Sequence, residues 1–75
     1  MQIGFLSFWN NYADGMDDAV FFKQEHAINM LAEPLGFDTF FCVEHHFNSY
    51  SMLPDNFQYL SYLAGLTKRI RLATM

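Results

Sequence analysis

The sequence has little of what a nucleic-acid-binding, membrane-spanning or secreted protein requires. It contains only four Lys and Arg residues and carries a net charge of −4 at pH 7. Three of the four cluster at Lys68, Arg69 and Arg71 and form no stripe that could follow a phosphate backbone. No apolar run approaches the roughly 18 residues of a membrane span, and the N-terminus lacks the basic and apolar regions of a signal peptide. We therefore expect neither nucleic acid nor a membrane as a partner.

Cysteine is equally scarce. The single Cys42 cannot form an intramolecular disulfide. Its apolar neighbours Phe40, Phe41 and Val43 predict a buried, reduced thiol rather than a reactive one. These features together favour a cytoplasmic protein.

Apolar residues, by contrast, are abundant for so short a chain. Of 75 residues, 52% are hydrophobic and 19% are aromatic, including nine Phe. A chain of this size leaves much of its surface exposed. Such a composition is expected where further protein covers the faces, or where the chain oligomerises. The composition thus predicts a piece of a larger domain.

The order of apolar runs and turn residues predicts a β-α-β-α-β arrangement of the α/β class. Residues 2–8 read as a strand buried on both faces, 39–43 as a second strand and 69–74 as a third. A first helix begins near Asp17 or Asp18 and ends near Glu33, where Pro34 and a left-handed Gly36 follow. A second helix covers about 57–66, with Asp55 or Asn56 as its cap. The connections suit crossovers between parallel strands, as in a (β/α)8 barrel or one half of a doubly wound sheet.

The first helix is predicted to be amphipathic. At 100° per residue its apolar positions fall within an arc of roughly 140°, which we expect to face the core: Val20, Phe21, Ala27, Ile28, Leu31, Ala32 and Leu35. The polar residues lie opposite and are expected to face solvent: Lys23, Glu25, His26, Asn29 and Glu33. On this pattern His26 is a solvated residue and not a ligand.

Glu44, His45 and His46 follow the second predicted strand directly. Carboxyl ends of parallel strands are where reactions occur in this class of fold, and an imidazole beside a carboxylate can accept a proton or stabilise an oxyanion. Two histidines here can equally cap the strand and bond to neighbouring loops, and their position alone does not decide between these roles. A metal site is not indicated, because adjacent strand residues point to opposite faces and the sequence has no second ligand cluster.

Four segments, taken in order and spacing, resemble the N-terminal quarter of luciferase-like flavin-dependent monooxygenases. The resemblance covers essentially all 75 residues. The segments are Gly36-Phe37-Asp38-Thr39, Glu44-His45-His46-Phe47, Met52-Leu53-Pro54 and Thr67-Lys68-Arg69-Ile70-Arg71-Leu72.

The resemblance implies that residues 1–75 are the N-terminal part of a single, truncated TIM-barrel domain. This barrel binds reduced FMN and uses oxygen to form a flavin peroxide that oxidises a small organic substrate such as an aldehyde. By the same resemblance His45 is the catalytic histidine, and Glu44, Thr74 and Met75 line the pocket near the isoalloxazine ring. The family's phosphate-binding residues lie beyond Met75, so the fragment alone is expected to be inactive.

The resemblance also implies partners and leaves two alternatives open. A flavin reductase would supply reduced flavin, and the full-length protein would form a dimer. Related barrels use the deazaflavin cofactor F420 to move hydride instead of activating oxygen. Apart from the resemblance, the chain also fits a small non-enzymatic α/β module that dimerises through its apolar faces and uses both histidines structurally.

Overall fold

A computed structural model of the chain describes residues 1–11, 15–46 and 51–75. Three predicted features extend outside the described residues. They are the last residue of the Glu-His-His-Phe segment, Phe47, residues 48–50 of the loop that follows it, and residues 12–14 of the turn before the first helix.

Strands and helices alternate along the described part of the chain, as the sequence predicts. The three strands pair in the order β1-β2-β3, and both pairs are parallel. The elements are β1 (Gly4–Ser7), α1 (Asp18–Asn29), β2 (Thr39–Cys42), α2 (Asn56–Ala64) and β3 (Arg71–Thr74). The α/β class and the β-α-β-α-β order are thus confirmed, with shorter strands than predicted.

The ends of the helices follow the local chemistry of the sequence. Asp17 and Asp55 are the N-cap residues, and the Asp55 side chain accepts a hydrogen bond from the backbone N–H of Gln58. Helix α1 ends at Asn29, earlier than predicted, and turns continue to Gly36, whose φ of 94° is readily adopted by glycine. No helix of the described residues is long and apolar enough to cross a membrane.

The hydrophobic core lies between the two helices and one face of the sheet. Phe5, Phe40 and Leu72 are in register across the three strands and pack on this side. The buried members of the core are Trp9, Phe21, Ala32, Phe40, Cys42, Leu53, Tyr59, Leu60, Leu63 and Ile70. Cys42 is fully buried with a free thiol, as predicted. Strand β1 is not buried on both faces: Gly4 is exposed and Leu6 is half-buried.

The orientation predicted for α1 is wrong. Of the expected inward arc only Phe21 and Ala32 are buried. The other members are exposed: Val20, Ala27, Ile28, Leu31 and Leu35. Most of the predicted apolar stripe therefore faces away from the core.

Three polar residues of α1, Glu25, His26 and Asn29, pack inward, where their side chains have hydrogen-bonding partners. Glu25 Oε1 accepts a hydrogen bond from the hydroxyl of the buried Ser7 at 2.6 Å. His26, predicted to be solvated, is half-buried, and its Nδ1 lies 2.9 Å from the hydroxyl oxygen of Tyr59. The buried Asn29 donates to the same hydroxyl at 3.1 Å. The inward face of α1 thus combines these hydrogen bonds with the apolar packing of Phe21 against Trp9.

Candidate functional site

The predicted site lies at the carboxyl edge of the parallel sheet. Strand β2 ends at Cys42, and residues 43–46 continue from it without regular structure. Cys42 pairs in register with Thr74 at the end of β3, and the Met75 backbone N–H donates to the Cys42 carbonyl oxygen at 3.0 Å. The fold therefore brings three of the predicted site residues, Glu44, Thr74 and Met75, to the same edge as His45.

Glu44 connects this edge to the start of α2. Its Oε1 accepts a hydrogen bond from the backbone N–H of Asn56 at 3.0 Å, and its Oε2 lies 3.1 Å from Nε2 of His46. A carboxylate at a helix N-terminus is stabilised by the helix dipole and by the N–H groups that have no partner within the helix. Glu44 thus has a structural role at this helix, whatever else it contacts.

His46 bridges Glu44 and the loop that leads into α2. Its Nε2 lies 2.8 Å from the carbonyl oxygen of Pro54. A carbonyl can only accept, so Nε2 carries the proton and donates it towards Pro54, with Glu44 as the second nearby acceptor. The His46 side chain is 52% exposed, so this bridge lies at the surface of the loop.

His45, between Glu44 and His46 in the sequence, is half-buried. Its backbone N–H donates to the carbonyl oxygen of Leu53 at 3.1 Å, which fixes the main chain at this residue. His45 and His46 lie beyond the last residue of β2, Cys42. Their opposite orientation and the choice between them stay predictions.

The face of the sheet opposite the helices carries a shallow apolar cavity of about 240 Å³. Its lining residues are Gly4, Leu6, Phe41, Thr74 and Met75. A Cβ atom at Gly4 would come within 2.8 Å of the Phe41 ring, so glycine lets the aromatic ring approach β1 closely. This apolar surface leads towards the edge that carries the histidines.

Cys42 is not a candidate nucleophile. Burial raises the pKa of its thiol to about 11, the neighbouring Trp9 side chain opposes this shift, and the charge of Glu25 adds to it. A thiol with so high a pKa is almost wholly protonated at neutral pH and is a weak nucleophile. Among residues 1–11, 15–46 and 51–75, no group of three or more His, Cys, Asp or Glu is placed to hold a metal ion.

Two residues of this region were missed by reasoning from sequence. Asn56, considered only as a cap, bonds both Glu44 and Cys42. Trp9 is fully buried with a positive φ of 56°, and its carbonyl oxygen accepts from the Met52 N–H at 3.0 Å. One feature of the sequence could have indicated the role of Asn56. Only one of two consecutive residues can be the N-cap of a helix, so either Asp55 or Asn56 has a different role.

Comparison with known proteins agrees with this arrangement. The family model described as luciferase-like monooxygenase matches residues 1–75. The chain belongs to this family. Over 45 residues, 60% of the chain, it is 47% identical to an uncharacterized protein, y4vJ, of Sinorhizobium fredii. Over 47 residues, 63% of the chain, it is 34% identical to the alkanal monooxygenase alpha chains of Photorhabdus laumondii and Photorhabdus luminescens. Each match spans 13% of the relative's length.

Proposed function

We propose that the chain is part of a flavin-dependent monooxygenase that oxidises a small organic substrate with reduced FMN and oxygen. The observation that carries this proposal is the placement of Glu44, His45 and His46 at the carboxyl edge of a parallel sheet in a chain of this family. An aldehyde is the substrate class we favour, because two relatives are alkanal monooxygenases.

The three strands are proposed to be the first part of a (β/α)8 barrel, with residues 1–75 belonging to one domain. Two surfaces of the described structure support this. The sheet face opposite the helices is apolar and open around Leu6 and Phe41, as the inside of a barrel would be before its other strands are added. The exposed stripe of α1, with Val20, Ile28 and Leu31, would be covered by neighbouring elements.

The residues at the carboxyl edge fit a flat, largely apolar ring such as isoalloxazine. Leu6, Phe41 and Met75 supply an apolar wall, and Thr74 at the end of β3 also lines the cavity. Glu44 lies at the same edge. The bound reduced flavin would supply the electrons that activate oxygen. We propose that Glu44, Thr74 and Met75 hold the ring near His45.

The two histidines are proposed to have different roles. His45 accepts or donates a proton at the reacting centre, as a positioned imidazole can. His46 is already engaged through Nε2 with Pro54 and Glu44, so it acts through the stability of the loop. A flavin reductase is the proposed source of reduced flavin, and a dimer is the proposed assembly.

The proposal is tested with the complete protein, reduced FMN, oxygen and a series of linear aldehydes. We expect one oxygen molecule to be consumed for each carboxylic acid formed, in a reaction that requires the aldehyde. Reduction of F420 without oxygen uptake would instead assign the alternative chemistry of the same fold. If neither cofactor binds and the protein is a stable dimer, the protein is the non-enzymatic α/β module.

A further inference from the structure

Asn56 makes two hydrogen bonds to the segment just before His45, one to its main chain and one to a side chain. Its side-chain Nδ2 donates to the carbonyl oxygen of Cys42 at 3.2 Å, and its backbone N–H donates to Oε1 of Glu44 at 3.0 Å. The residue is only 5% exposed, so water competes little for these bonds. One residue at the start of α2 thus fixes both the end of β2 and the residue that precedes His45.

The Cys42 carbonyl is a junction of three elements. It accepts from the Asn56 side chain and from the backbone N–H of Met75, the latter at 3.0 Å. A carbonyl oxygen has two lone pairs, so both bonds form together. The end of β2, the end of β3 and the first turn of α2 are therefore tied at a single atom, close to the residues proposed to hold the flavin ring.

The chain entering α2 also holds the histidines from the other side. Leu53 accepts from the His45 N–H, and Pro54 accepts from His46 Nε2. Both carbonyls lie within three residues of Asn56 along the chain. A shift of Asn56 would therefore move both the segment before His45 and the Leu53 carbonyl, which accepts from the His45 N–H.

We propose that Asn56 is a positioning residue that sets the location of the His45 imidazole relative to the reacting centre. This inference rests on the proposed function of His45. It assigns Asn56 no contact with substrate or cofactor. A displacement of about 1 Å at a reacting group can lower a rate by about 100-fold. Loss of the bond from the Asn56 side chain to Cys42 therefore affects turnover more than it affects binding.

The test compares variants of two adjacent residues in the complete protein. Asn56→Asp keeps the shape of the side chain and places an oxygen opposite the Cys42 carbonyl, where the donor was, while an acidic group in the first turn favours the helix. Asn56→Ala removes the donor without adding charge. Asp55→Ala is the matched control, because it removes the cap bond to Gln58 and leaves both bonds of Asn56 in place.

We expect both Asn56 variants to lower kcat by about 10-fold to 100-fold, with KM and the affinity for reduced FMN within about twofold of the wild type. Asp55→Ala is expected to stay within about twofold in kcat at a temperature where all variants are folded. The ring ¹H–¹³C NMR signals of His45 are expected to shift in both Asn56 variants and to stay in place in Asp55→Ala.

Two results would overturn the assignment. Equal losses of kcat in the Asn56 and Asp55 variants would show that both act through the stability of α2 alone. Unchanged His45 NMR signals in both Asn56 variants would show that the imidazole does not depend on the Asn56 side chain. The NMR comparison needs no turnover. It therefore tests whether the Asn56 side chain positions His45 even if the wild-type protein shows no oxygenation and the proposed function fails.

Discussion

Glu33 lies in the connection between α1 and β2, and its carboxylate bonds to the connection between α2 and β3. Its oxygens accept hydrogen bonds from three successive backbone N–H groups of the loop before β3, those of Lys68, Arg69 and Ile70, at 2.6 to 3.1 Å. The Arg69 guanidinium donates in return to the Glu33 carbonyl oxygen at 2.9 Å. This reciprocal clamp lies where the chain enters the strands, at the end of the sheet away from the histidines.

The clamp predicts a pH-dependent contribution to stability. Hydrogen bonds from the N–H groups of Ile70 and Arg69 lower the pKa of Glu33 below its usual value of 4.5. The folded protein therefore binds this proton less readily than the unfolded chain. The stabilisation is fully present above about pH 4.5 and is lost as the pH falls through the lowered pKa of the folded state.

Glu33→Gln is expected to lower the urea midpoint of the complete protein at pH 7, because the amide group brings a donor towards N–H groups that need an acceptor. The difference from the wild type should shrink as the pH is lowered below 4.5. Urea titrations at several pH values check this. A difference that is constant from pH 7 to pH 3 would show that the carboxylate charge has no part in the clamp.

Glu33 also shows why residue roles were harder to predict than elements. Its spacing places it on the polar side of α1 and predicts that its side chain faces solvent. Its partners lie 35 to 37 residues away in the sequence, and no local pattern encodes a contact over that separation. The same holds for Asn56, whose bond to Cys42 spans 14 residues.

At the scale of elements, one buried hydroxyl group, that of Tyr59, links α1 and α2 by hydrogen bonds. Tyr59 receives a hydrogen bond from Asn29 and pairs with His26, and its ring packs edge-on against Trp9 with centroids 4.8 Å apart. Burial raises the pKa of the Tyr59 hydroxyl to about 12, although the hydrogen bond from Asn29 opposes this. The hydroxyl therefore stays protonated over the physiological range.

Tyr59→Phe is expected to lower the free energy of unfolding by about 1–3 kcal/mol, because the buried Asn29 amide loses its acceptor while the ring contacts stay. Tyr62→Phe is the matched control. Its side chain is 54% exposed, and the change should stay within about 0.5 kcal/mol. Urea unfolding of both variants measures the difference. Equal effects would show that the Tyr59 hydroxyl contributes no specific link between the helices.

The orientation of α1 is the element that sequence reasoning got wrong, and the reason is physical. An apolar stripe predicts the buried face when apolar contact is the main source of packing energy. Here Ser7 and Tyr59 provide hydrogen-bonding partners on the sheet side, so Glu25, His26 and Asn29 pack there. The stripe with Ile28 is left on the outside, where we propose that other parts of the barrel cover it.

At the scale of the whole molecule, the order of elements and the family were predictable from the sequence. Short apolar runs separated by Asp, Asn, Pro and Gly specify strands, caps and turns locally. The family segments lie at the ends of these elements, so the placement of Glu44 and His45 beyond β2 followed from the same pattern. The side-chain contacts of the site did not follow, because they join the ends of β2 and β3 to the start of α2.

The measurement that tests the central claim most directly is a single-turnover experiment on His45→Ala and His46→Ala in the complete protein. Each variant is loaded with reduced FMN and mixed with oxygen and aldehyde, and flavin affinity and product yield are measured separately. We expect His45→Ala to lower the oxygenation rate by about 10² to 10⁴-fold with little change in affinity, and His46→Ala to act mainly through stability. Equal, small losses in both variants would contradict the account and show that neither histidine is the catalytic group.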